Sequence, residues 1–268
     1  MQKGIPIMRI KIRENSTVLL YVATYLVYML LSMNCFVSRG IGTKGIPYVV
    51  SYFPAVAMSF ALLKKDKSVR NVRRCISRGV SYRIAELEYV VNSLLVGGLI
   101  CYLVYQNNIS IVSSRECTYI ISFFVIGFAE ELYFRRILKH KMQFLFNSKI
   151  FFNVSANVIL FSFAHIFSTE LSVYGLVLKI AALSLVGVNY YAFYCITNRF
   201  GQTILIHAGY DIIINFSYIL SAKIQIVYYI VFVIYGLILL IVYRNESGIE
   251  SKPPAVLGEQ GARKRCLK

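Results

Sequence analysis

The stretch Ile224–Tyr243, IQIVYYIVFVIYGLILLIVY, contains no Asp, Glu, Lys or Arg. Wound as an α-helix it is ~30 Å long, the thickness of a bilayer's hydrocarbon core. A helix at the edge of a water-soluble core keeps a charged face, and this one has none. Working outward, seven more apolar runs of similar length occur, at about 17–37, 46–63, 87–105, 118–138, 150–168, 173–196 and 203–220. The sequence therefore predicts an all-α, polytopic transmembrane helical bundle of about eight spans over 1–243, with a motif-bearing core at 118–220 and a tail at 244–268. Composition agrees. Hydrophobic residues make up 57% of the chain and charged residues 15%, against about 25% charged in soluble domains. Disorder is excluded, because it requires low hydrophobicity. With 21 Tyr, 18 Phe and no Trp, the interfacial aromatic belt falls to tyrosine.

The formal charge is +17, from 29 Lys+Arg and 12 Asp+Glu. Its distribution decides its meaning. The two ends, the segment 64–86, the segment 135–149 and the turn 197–202 together carry 24 of the basic residues, and the intervening loops carry only Arg39, Lys44, Arg115 and Lys223. Such a split is a topology signal that puts both termini and the basic loop Lys64–Arg83 in the cytoplasm. Anionic lipid headgroups are then the expected partner of the charge, and nucleic acid is not. The first span follows a basic tail and reads as an uncleaved anchor. Six scattered cysteines show no metal or redox spacing and read as packing or surface thiols.

Ionisable groups in hydrocarbon are costly and need a reason. Those inside the spans are few: Glu130, Glu131, Arg135, His165, Lys179, His207 and Asp211. Glu131 and Arg135 are i,i+4 and can pair, whereas Glu130 points about 100° away around the helix. His207 and Asp211 are also i,i+4, so the carboxylate can fix the imidazole's tautomer. Phe161 and His165 repeat the spacing, with Asn157 a further turn back. A Glu beside a His in a low-dielectric pocket can act as a general base on water. Two His with a carboxylate are equally a donor set for a divalent metal. Lys179 reads as a bundle-internal or snorkelling cation, His140 as a surface residue beside Lys139 and Lys141, and the pairs Tyr190–Tyr191 and Tyr228–Tyr229 as bundle surface or belt.

Three of these stretches, in order, resemble a known family. Glu130-Glu131-Leu-Tyr-Phe-Arg135 matches EExxxR, Phe161-Ser-Phe-Ala-His165 matches FxxxH, and His207-Ala-Gly-Tyr-Asp211 matches HxxxN/D. The set is similar to the CPBP intramembrane metalloproteases, which include the type II CAAX prenyl proteases and bacteriocin-processing members. The resemblance implies an endopeptidase in which Glu130, with His165, activates water. Glu131 and Arg135 form the supporting pair. His207 and Asp211 bind metal or stabilise the oxyanion. A divalent metal, zinc first, would rest on His165 and His207. The implied substrate is a membrane-associated or prenylated protein or peptide, and the implied location a bacterial plasma membrane. One position departs from the commoner pattern: Asp211 stands where Asn is usual, and an ionised Asp cannot donate a hydrogen bond. Two other functions compete. A non-catalytic membrane partner, such as a bacteriocin self-immunity protein, would need no chemistry. A proton or ion transporter would show broken helices or an inverted repeat, and neither is visible.

The span boundaries raise one difficulty. They put Glu130 ~12 Å and His165 ~22 Å from the cytoplasmic ends of their helices. Equal depth is expected if the fifth helix starts nearer Ala156, with 141–155 lying along the interface.

Overall fold

The computed structural model describes residues 79–106, 114–145, 150–165, 172–215 and 220–250, with single positions at 23 and between 52 and 64. Its elements are α1 (Val80–Gln106), α2 (Ser114–Glu131), a π-helical stretch (Leu132–Leu138), α3 (Lys139–Leu145), α4 (Ile150–Ala164), α5 (Val173–Thr197), α6 (Phe200–Asn215) and α7 (Ala222–Glu250). No strand occurs among the described residues. The α2, π and α3 pieces follow one another directly, so Ser114–Leu145 is one continuous helical stretch.

Helix α5 is the hub. It packs on α4 and α7 and touches α1 and α6, while α6 is held from the other side by α1 and α2. Its ends are well specified. Ser172 caps the start, its hydroxyl accepting from the Gly175 amide at 3.2 Å. Asn198 ends it in the left-handed region at φ 49°, a conformation Asn tolerates. The chain then turns over two residues, Asn198 and Arg199, into α6.

Close backbone approach ties α7 to α5. A Cβ on Gly236 would stand 2.6 Å from the Cβ of Asn189 and 2.7 Å from its Cα, so only glycine fits. Asn189 uses that closeness. Its side-chain amide donates to the Phe232 carbonyl of α7 at 2.7 Å and to Glu88 Oε1 of α1 at 2.6 Å. The start of α1 is held by α7 as well, since Glu246 accepts from the Ser81 amide at 3.1 Å and from the Ser81 hydroxyl.

Polarity is arranged inside out. The large exposed side chains are apolar: Leu87, Val91 and Leu94 on α1, and Val227, Val231, Ile234, Ile238 and Ile241 on α7. The last five recur at helical spacing and form one stripe. Meanwhile Glu88, Asn92, Glu130, Glu131, Arg135 and Asn189 are buried. Facing water, such a stripe would be an aggregation surface; facing lipid, it is the expected outer face. The chain is an integral membrane protein on these grounds. Val80–Tyr102, Val173–Thr197 and Ala222–Glu246 are each long and apolar enough to cross a bilayer, and Phe151–Ala164 is a shorter apolar helix.

Several boundaries differ from expectation. The expected first span, 17–37, lies outside the described residues apart from Ala23, and 46–63 is described only at single positions. Of about eight expected spans, the described residues supply three of full length and apolarity. α2 and α6 carry the polar groups of the motifs, which lowers their apolarity. The third span begins at Val80 rather than 87, because Tyr82 and Ile84 pack on the core. The helix through 118–138 continues to Leu145, and α4 begins at Ile150, not Ala156. α7 runs on to Glu250, so the first part of the expected loose tail is helical.

Candidate active site

Glu130 and Glu131 sit where α2 gives way to the π-helical stretch. Such π turns are rare and often mark functional sites. Here the wider turn has a visible use. The Phe134 carbonyl accepts from the Lys139 amide, five residues on, and also from the Asn157 side-chain amide at 2.8 Å. The Asn157 oxygen in turn accepts from the Arg135 guanidinium at 2.9 Å. A residue of α4 is thereby locked to the turn that carries EExxxR.

Arg135 is fully buried, and so is Glu131; Nε and Oε2 are 3.4 Å apart. The guanidinium also lies over the rings of Phe161 at 4.8 Å and Tyr190 at 5.7 Å, measured to the centroids. A buried cation is tolerable on such terms, with a carboxylate, an amide oxygen and aromatic faces around it.

The other oxygen of Glu131, Oε1, is 2.8 Å from His207 Nδ1. An ionised carboxylate only accepts, so Nδ1 carries the proton and donates. Nε2 then faces Glu130 Oε2 at 3.7 Å and Asp211 Oδ2 at 3.6 Å. His165 repeats the logic at the end of α4, one residue past Ala164. Its Nδ1 lies 2.8 Å from the Phe161 carbonyl, which can only accept, so Nδ1 donates there too. Its Nε2 faces the same Glu130 Oε2 at 3.4 Å. Glu130 is buried, and its Oε1 accepts from the Tyr52 hydroxyl at 3.3 Å. The result is one carboxylate oxygen, Oε2, confronted by an imidazole nitrogen from each of two other helices. Lone pairs facing a lone pair repel, and such a set is stabilised by a shared proton, a water or a cation between them.

All six residues singled out by the motifs come together. Glu130, His165, His207 and Asp211 line one cavity of about 350 Å³. Glu131 and Arg135 stand behind them and support His207. Three further residues belong to the same place. Tyr52 holds Glu130, Lys179 lines the cavity and donates to the His165 carbonyl at 3.0 Å, and Tyr190 stacks on His207 with centroids 4.3 Å apart and planes 18° apart.

Two expectations fail here. Tyr190 and Tyr191 are buried, not belt residues, because α5 turns this face to the motifs. His140, Lys139 and Lys141 are buried as well. The Lys139 ammonium rests 4.7 Å over the Tyr194 ring, which shields it from hydrocarbon.

Comparison with known proteins agrees with the geometry. Residues 116–213 match the family model described as type II CAAX prenyl endopeptidase Rce1-like. The resemblance read from the three motifs is thus borne out. The matched stretch takes in most of α2, the π turn, α3, α4, α5 and most of α6, and contains all six motif residues. No curated protein and no solved structure matches the chain.

The resemblance implies a divalent metal at this donor set. No group of three or more His, Cys, Asp or Glu side chains stands ready-made as a metal centre among the described residues. The chemistry of the donors nevertheless fits one. Both Nδ1 atoms are engaged, which leaves both Nε2 lone pairs turned to a carboxylate oxygen, and Glu131 and the Phe161 carbonyl supply the outer hydrogen bonds that metal-binding imidazoles usually have.

Proposed function

We propose that the protein is an intramembrane endopeptidase that hydrolyses a peptide bond in a membrane-associated substrate of the prenylated CAAX type, at the cavity formed by Glu130, His165, His207 and Asp211. The observation that carries this reading is the convergence on Glu130 Oε2 of His165 Nε2 at 3.4 Å and His207 Nε2 at 3.7 Å, from separate helices. The Rce1-like match supports the substrate class.

The chemistry follows from the donors. A water held between Glu130 Oε2 and His165 Nε2 loses a proton to Glu130 as its oxygen attacks the scissile carbonyl carbon. The carbonyl π electrons move onto oxygen. When the tetrahedral intermediate collapses, the C–N bond breaks and the amine leaves with the proton from Glu130. Glu131 keeps His207 in one tautomer, and Arg135 holds Glu131 in place. His165 and His207 would hold a divalent metal such as zinc, and that ion would supply Lewis-acid polarisation of the water. Both termini would lie in the cytoplasm, where the basic segments can meet anionic headgroups.

The test uses the full chain in proteoliposomes with fluorogenic peptides, prenylated and not. Glu130→Ala and His165→Ala are expected to lower cleavage about 100-fold or more, with helicity unchanged. Unaltered cleavage by either variant would end the proteolytic reading. Inhibition by a chelator that zinc reverses supports the metal, and indifference to chelation removes it. A biological effect that persists in Glu130→Gln would favour the binding-only alternative, the role of a self-immunity protein.

A further inference from the structure

We propose that Tyr190 is a catalytic residue that donates a hydrogen bond from its phenol to the oxyanion formed during cleavage. This rests on the peptidase reading above.

The oxyanion task that the resemblance offers to His207 and Asp211 lacks a donor here. A tetrahedral intermediate places negative charge on the former carbonyl oxygen, and enzymes meet it with donors fixed in advance. Asp211 occupies the position from which an Asn amide could donate. An ionised Asp has no proton to offer. Glu130 and His165 handle the water, and His207, its proton on Nδ1 and given to Glu131, presents only a lone pair at Nε2.

Tyr190 has the required properties. It is 1% exposed, and its hydroxyl has no hydrogen-bond partner. Buried polar atoms are nearly always paired, so an orphan on a residue that lines the cavity calls for an explanation. The residue lines the same cavity as Glu130, His165 and Asp211. Its ring is clamped on several sides: it stacks on His207 at 4.3 Å, and it meets Phe161 at 6.0 Å, Tyr210 at 6.3 Å and Phe232 at 5.6 Å, each edge-on or nearly so. Little but the O–H rotor remains to adjust. A donor fixed in this way needs no rearrangement when the charge appears. Being neutral, it also brings no second buried charge into the bundle. Its proton stays on the phenol throughout. As the intermediate collapses, the electron pair returns to the carbonyl and the hydrogen bond weakens again.

A packing role makes the opposite forecast. Phenylalanine keeps the ring, the stack on His207 and the edge contacts, and it deletes only the orphan atom. If Tyr190 merely packs, Tyr190→Phe cleaves like the unsubstituted chain. If it donates to the oxyanion, kcat falls about 100-fold to 1000-fold, KM stays within about twofold, and resistance to unfolding is unchanged or improved. Replacing Tyr190 by fluorinated tyrosines of graded acidity gives a second measurement, in which kcat should vary with phenol acidity. Unaltered kcat in Tyr190→Phe, or a flat series, would overturn the proposal. Glu130→Ala, run alongside, separates the two claims. If it is inactive while Tyr190→Phe is fully active, only the role of Tyr190 falls. If both cleave normally, or the unsubstituted chain does not cleave, the peptidase reading falls and takes this one with it.

Discussion

Removing one charge from the pair Glu131–Arg135 should cost nearly as much as removing both. Both side chains are fully buried, with Nε and Oε2 3.4 Å apart. Arg135→Met deletes the hydrogen bond to Asn157 at 2.9 Å and the contact with the Phe161 ring, and strands a carboxylate in a low-dielectric interior. Breaking a buried pair in this way costs about 3–5 kcal/mol. Glu131→Gln strands the guanidinium instead and should cost a similar amount. Gln is the useful replacement because its amide oxygen can still accept from His207 Nδ1, now at 2.8 Å from Oε1. The double variant buries no unpaired charge, since methionine fills the arginine's aromatic slot. Its cost should fall short of the sum of the singles by about 2–3 kcal/mol. Unfolding in mixed micelles, titrated with a denaturing detergent and followed by loss of helicity, measures all four corners of the cycle. Costs that simply add would refute the argument, for they would mean that the two groups do not sense each other and that EExxxR is not held together as an ion pair.

Other outcomes follow from single contacts. Lys179 donates to the carbonyl of His165 at 3.0 Å, so Lys179→Met should lower kcat about tenfold through loss of His165 placement, and Lys179→Arg should recover part of it; a change confined to KM would argue for a substrate contact instead. Gly236→Ala would put a Cβ 2.6 Å from the Cβ of Asn189, so it should destabilise the bundle by about 1–3 kcal/mol in the same detergent titration, and a neutral result would mean that α5 and α7 can part freely. Asp211→Asn supplies an amide 3.6 Å or so from His207 Nε2 in place of a carboxylate, and it should restore part of the cleavage lost in Tyr190→Phe; no recovery in the double variant would show that position 211 cannot reach the oxyanion.

The legible parts of the fold and the site were those set by composition and spacing. Runs such as Ile224–Tyr243 have one physical reading, and two i,i+4 polar pairs and a histidine inside apolar helices have little reason to exist unless they meet. Charge proved a poor guide to where the helix ends. Arg135, Arg136, Lys139 and Lys141 look like an exit cluster, yet Arg135, Lys139 and Lys141 are buried. Aromatic faces replace water around them: Phe161 beneath Arg135, Phe200 beneath Arg136 and Tyr194 beneath Lys139. Such partners lie far along the chain, so no local window shows them. The same holds for Tyr190, whose neighbour Tyr191 makes the pair indistinguishable in sequence from an interfacial belt. The π turn over Leu132–Leu138 has no compositional signature at all; it becomes intelligible only when Asn157 is seen bonding to the Phe134 carbonyl.

The longer helix also removes the mismatch in level between Glu130 and His165. With the helix ended at 138, Glu130 falls well short of His165, and a shortened α4 is the natural remedy. With the helix continued to Leu145, the remedy is unnecessary. Glu130 lies as many residues from Leu145 as His165 does from Ile150, so both stand ~22 Å from the start of the connection between α3 and α4, less a little for the slower rise of the π turn. The bond between Arg135 and Asn157 pins the two antiparallel stretches at an intermediate level. The aromatic-shielded cations are therefore more than tolerated. By letting α3 continue past the point where charge would otherwise end it, they set the register that brings the carboxylate and the first imidazole to one level, and α6, anchored through Glu131 to His207, delivers the second.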